Sequence, residues 1–99
     1  MLRERKAKSS TYDPARRQLR LEVGPGKGEA RSTTGTLLLD ARGRVVGIDV
    51  DPASPERAVV MLGAHEDVTT TREARVSVTT DDGGAVLAVV AEGVDPPKW

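Results

Sequence analysis

The sequence predicts an all-β protein, an antiparallel meander of about six strands forming a small sandwich or open barrel. Three observations carry this. Residues 36–50, T-L-L-L-D-A-R-G-R-V-V-G-I-D-V, set two β-prone runs, Thr36–Leu39 and Arg44–Val50, on either side of Asp40-Ala41-Arg42-Gly43. Asp starts a type I turn and Gly43 is placed to take the positive φ of the bulge that closes it. A second turn, Asp81-Asp82-Gly83-Gly84, separates two further β-prone runs, and Arg17–Val23 alternates apolar with polar residues at period two.

The elements follow in chain order. Residues 1–11 are polar and basic without an apolar period and are expected as a flexible arm, with order beginning near Tyr12. Residues 12–92 form a single β domain, and residues 93–99 a Pro-rich tail. Leu19, Leu21 and Val23 supply one buried face of the first strand, which Gly24-Pro25-Gly26-Lys27-Gly28 ends. Leu37 and Leu39, then Val46, Ile48 and Val50, line one face of the hairpin. Asp51-Pro52-Ala53-Ser54-Pro55 breaks the pairing, since proline cannot donate to a ladder. Residues 56–62 carry a helix-start signal at Ser54 and Pro55 but are β-branched in the middle, and are read as a strand. Arg72–Thr80 alternates, with Ala74, Val76 and Val78 on one face. Ala85–Ala91 is apolar on both faces, as expected of a strand central in its domain or covered by another subunit. No repeat is visible.

Composition limits the interior. The chain has 99 residues, 22 of them Val, Leu or Ile, no Phe, and its two aromatics, Tyr12 and Trp99, near the ends. So lean an aliphatic core suggests that association with other copies adds stability. The absence of cysteine excludes disulfides, thiolate metal sites and cysteine nucleophiles. No apolar run reaches the roughly 20 residues that span a bilayer, so a cytoplasmic protein with no membrane contact is expected. Net charge is zero but divided: residues 1–20 hold seven basic and two acidic groups, and the remainder carries the compensating negative charge.

Tyr12-Asp13-Pro14, the strand at Leu19 and Leu21, and the hairpin T-L-L-L-D-A-R-G-R-V-V-G-I-D-V resemble a small bacterial domain family of unknown function, with a Tyr-Asp-Pro start and an Asp/Gly turn leading to Val-Gly-Ile-Glu. The likeness spans Tyr12 to about Ala53. Arg17 and Arg20 stand where that family tends to have Asp and Tyr, and Asp49 where it has Glu. The resemblance implies a compact β-meander and, the family having no assigned activity, carries none over to this chain.

Four constellations bear on function. Gly24–Gly28 has the glycine content of a phosphate loop but lacks the G-x-x-x-x-G-K-[ST] spacing and a following helix, so a plain connecting turn is preferred. His65-Glu66-Asp67 with Asp49 and Asp51 mixes ligand types. Three consecutive side chains converge poorly on one ion, and solvated loop acids are the simpler reading, so no metal and no cofactor is expected. His65 is the sole candidate proton-transfer group and has no recognisable nucleophile motif near it, which argues against an enzyme. Arg3, Arg5, Lys6 and Lys8 would neutralise phosphates on a nucleic acid, but no stacking aromatics accompany them.

The leading expectation is therefore a non-enzymatic β-rich assembly or protein-interaction module, binding other copies of itself or another protein through Val59, Met61, Val86, Ala88 and Val90. The alternatives are a nucleic-acid-associated protein using the basic arm and a small-ligand or metal-binding domain.

Overall fold

The computed structural model describes residues 3–50, 58–63 and 65–94. The strands are β1 Arg3–Lys6, β2 Ser9–Asp13, β3 Gln18–Glu22, β4 Glu29–Leu39, β5 Val45–Val50, β6 Ala58–Met61, β7 Thr70–Thr80 and β8 Val86–Ala91, with one 3-10 turn at His65–Asp67. They form one curled sheet, half-barrel in outline, in the order β1-β6-β5-β4-β7-β8-β3-β2. The all-β reading holds, with eight strands among the described residues instead of about six. Meander connections join only β4-β5-β6, β7-β8 and β2-β3, crossovers link these runs, and β1 lies parallel to β6. Residues 58–61 are strand; the break at Asp51–Pro55 and the tail from residue 95 lie outside the described residues.

A repeat that the sequence conceals organises this sheet. β4 and β5 map onto β7 and β8 at a constant offset of 41 residues, boundary for boundary. In the first turn Asp40 N–H donates to Arg44 O (2.9 Å) and Gly43 N–H to Asp40 O (3.0 Å). In the second, Asp81 N–H donates to Ala85 O and Gly84 N–H to Asp81 O, both at 3.0 Å. Gly43 and Gly84 take φ of +78° and +84°. A register shift falls between Leu38 and Leu39 in one hairpin and between Thr79 and Thr80 in the other. Only four of the 22 aligned positions are identical (Arg31/Arg72, Asp40/Asp81, Gly43/Gly84, Val45/Val86), which is why no repeat is legible in the sequence.

The flanking strands obey the same symmetry. Val23 and Gly24 N–H groups both donate to Leu87 O, and Leu62 and Gly63 N–H groups both donate to Val46 O. Six of the strands thus form two three-stranded units, β3-β4-β5 and β6-β7-β8, that exchange first strands: β3 pairs with β8 and β6 with β5. β4 and β7 join the units along eleven register pairs.

Inside the curl, Leu19, Leu21, Leu37, Ile48, Val60, Val76 and Val89 are fully buried and form one cluster with Val45, Val86 and Ala91. In β8 the inward residues are Val86, Val89 and Ala91, because the bulge spends one residue, Leu87, and reverses the alternation. Val94 belongs to this core as well: its N–H donates to Arg17 O (3.0 Å) and its carbonyl accepts the Tyr12 hydroxyl (2.7 Å). The domain therefore runs past residue 92.

At the other end of the chain the expected flexible arm is replaced by β1 and β2. β1 pairs with β6 and β2 with β3, the two ends of the six-strand array. Between them Ala7 N–H donates to Met61 O (2.9 Å) and Lys8 N–H to Glu22 O (2.7 Å), so this segment ties the ends of the curl together. It carries no apolar alternation because its pairing uses backbone groups, and charged side chains are the usual composition of edge strands.

Candidate functional site

A cleft opens beside the first hairpin turn, where local chemistry fixes the walls. Asp40 is buried, 8% exposed, and its Oδ1 accepts the N–H groups of Arg42 and Arg44, both at 2.9 Å. Its Oδ2 accepts the Arg44 Nε–H at 3.0 Å. The Arg44 N–H holds the Asp40 carboxyl below its usual pKa, burial opposes this, and the Arg42 N–H and the Arg44 guanidinium add to the lowering.

The cleft encloses about 520 Å³. Buried Val45 and Val46, half-buried Leu62 and the backbone of Gly63 give it an aliphatic floor. The turn contributes Arg42 and Arg44 to its rim, and the 3-10 segment with the residues after it contributes Glu66, Asp67 and Thr69. A Cβ built on Gly63 would lie 3.6 Å from Val46 and 4.0 Å from Asp67 Oδ2, so the Asp67 carboxylate leans over that floor. Arg44 is engaged by Asp40, whereas the exposed Arg42, Glu66 and Asp67 side chains make no ion pair or hydrogen bond with another described residue.

The symmetry-related position shows which of these residues the turn requires. Asp81 Oδ1 accepts the N–H groups of Gly83 and Ala85 at 2.9 Å each, so an identical turn forms with Gly and Ala where the first has Arg42 and Arg44. No residue of the second turn lines the smaller cavity of about 250 Å³ beside Gly24 and Leu87, whose charged pair, Arg20 and Glu22, is closed on itself at 3.1 Å. Asp and Gly build the turn; the free charges of the first cleft are additions to it.

Sequence reasoning singled out Glu66 and Asp67, which line the cleft, but missed Arg42 and Arg44 as site residues. The signal available was the comparison of the two Asp-x-x-Gly turns, one carrying Arg42 and Arg44 where the other has Gly83 and Ala85. Asp49 lies on β5 in register with Thr36 and Val59, three or more residues along the strand from the cleft; Asp51 and the His65 side chain lie outside what is described. Among the described residues no group of three or more metal-ligating side chains converges. The Gly24–Gly28 loop connects β3 to β4, and Gly28 is required there because a Cβ would collide with the Thr80 carbonyl.

Of the expected contact residues, Val59 (3% exposed), Met61 (2%), Val86 (1%) and Ala88 (4%) are buried within the chain, and only Val90 reaches the surface. Val86 enters the core through the bulge. Ala88, on the outer face, is small and sits in register between the longer side chains of Glu22 and Thr79. Arg3, Arg5 and Lys6 lie on β1 and Lys8 in the connection to β2, so these charges are carried on paired backbone instead of a free arm.

Among the described residues no helix is long and apolar enough to cross a membrane. No family model, curated protein or solved structure matches the chain.

Proposed function

We propose that this protein is a non-enzymatic binding module whose binding site is the cleft between the Asp40–Arg44 turn and the Leu62–Thr69 segment. One observation carries the reading: the two halves build the same turn, yet only the first sets arginines in it, facing acids across a cleft with an aliphatic floor. Residues that the fold does not need, placed around a concave aliphatic surface of small-molecule size, are the ordinary make-up of a ligand site. Self-association through the strand faces has less support, since four of its five expected contact residues are enclosed by their own chain.

The test is a titration followed by amide chemical shifts, using single amino acids, short peptides and inorganic phosphate as probes. The reading expects a saturable response confined to residues 40–46 and 62–69. A panel that leaves those amides unmoved, or that moves a different region, contradicts it.

A further inference from the structure

We propose that the cleft takes a short aliphatic zwitterion, an amino acid or dipeptide, with its carboxylate at Arg42 and its ammonium group at Glu66 and Asp67. This rests on reading the cleft as the binding site and names what enters it. Arg44 is neutralised by Asp40 at 3.0 Å, which leaves Arg42 as the free cation of the turn. The 3-10 segment supplies two free carboxylates, so the rim offers one sign of charge from each of two separate elements. A lone anion meets only one of these and faces the carboxylates; a lone cation faces Arg42. A ligand with both charges complements both elements. Between them Val45, Val46 and Leu62 offer aliphatic surface, and among the described residues no aromatic lines the cleft, which suits a branched aliphatic body better than a planar ring.

Exposed ion pairs are weak, so the affinity is expected on the order of millimolar and each charge pair to change it by about threefold to fivefold. L-leucine, 4-methylpentanoate and 3-methylbutylamine share an aliphatic body and differ in which charges they carry. Titrated into the full chain and followed by amide shifts, L-leucine is expected to bind about threefold to fivefold more tightly than either singly charged analogue. Arg42→Gln should then erase the advantage of L-leucine over the amine. Glu66→Gln with Asp67→Asn should erase its advantage over the acid, as expected when each substitution removes one partner of a pair. Gly63→Ala puts a methyl group on the cleft floor at ordinary contact distances, so it should weaken L-leucine without altering the dispersion of the spectrum. If a singly charged analogue binds at the cleft as tightly as L-leucine, or phosphate binds there and L-leucine does not, the ligand class is wrong while the site stands. If nothing shifts the cleft amides, both fail.

Discussion

Thr34 and Arg75 face each other across the β4–β7 ladder and are also each other's counterparts in the two halves of the chain. Only there does a residue pair with its own equivalent, so the pseudo-two-fold axis passes between them. Every other pair is matched by a second at the mirrored position: Gly35 with Ala74 is answered by Thr33 with Val76. A pairing of this kind is isologous, the geometry of a symmetric dimer interface contained within one chain.

The two turns should respond alike to substitution. Gly43 and Gly84 have positive φ and open space where a Cβ would stand, so the penalty at either is backbone strain alone. Gly43→Val and Gly84→Val should each cost about 1–3 kcal/mol, and Gly43→Asn less than about 1 kcal/mol. Thermal midpoints check this, and a tolerated Val at either site would contradict the shared turn geometry.

The acid limb of stability should report on Asp40. Its folded pKa is lowered, chiefly by the Arg44 N–H, so the stabilisation it brings is present above the pKa of the unfolded chain and is lost as pH falls through the folded value. Asp40→Asn should therefore destabilise the protein at neutral pH and converge with the parent as the carboxyl protonates. Urea midpoints from neutral pH down to about pH 2 test it; a constant gap across that range would show that the charge of Asp40 plays no part.

The N-terminal segment should act through its backbone. Ala7→Pro and Lys8→Pro each remove an N–H that ties the ends of the curl, and each should cost about 2 kcal/mol or more, whereas Lys6→Ala and Lys8→Ala should stay within about 0.5 kcal/mol. Urea unfolding separates the two pairs. Equal stability of parent and proline variants would return this segment to a dispensable arm.

The bulge in β8 sets which residues face inward. Val89→Glu places a carboxylate in the core and should prevent folding, while Val90→Glu, one residue on and partly exposed, should be tolerated within about 1 kcal/mol. Circular dichroism on both variants decides the register, and the opposite pattern would move the bulge.

Much of the fold is legible in the sequence where short-range chemistry dictates it. Asp40 with Gly43 and Asp81 with Gly84 announce their turns, and Leu19 and Leu21 announce a strand by alternation. What stays hidden is non-local. Strand exchange between β3 and β6 leaves no mark within a short stretch of chain. The extra residue of the bulge at Leu87 flips the phase of a strand apolar on both faces, where no polar residue betrays the change. β1 pairs through its backbone, which any side chain permits, so Arg3–Lys6 has the composition of a disordered arm. The candidate site is half legible: Glu66 and Asp67 stand out as clustered acids, but Arg42 and Arg44 read as turn residues until the second turn is seen to form without them.

The central claim is that the charge around the first cleft serves binding and not folding, and copying the second turn into the first tests it most directly. Arg42→Gly with Arg44→Ala reproduces Gly83 and Ala85 at their counterparts and keeps Asp40 and Gly43. The measurement is the urea unfolding free energy of this double variant beside the parent. A loss of no more than about 1.5 kcal/mol is expected, from an ion pair whose Arg44 and Asp40 side chains are 30% and 11% exposed and from one added glycine, with Asp40 keeping its two N–H donors and the native amide spectrum kept. A loss above about 3 kcal/mol, or a collapsed spectrum, would show that these arginines hold the fold together and would contradict the claim.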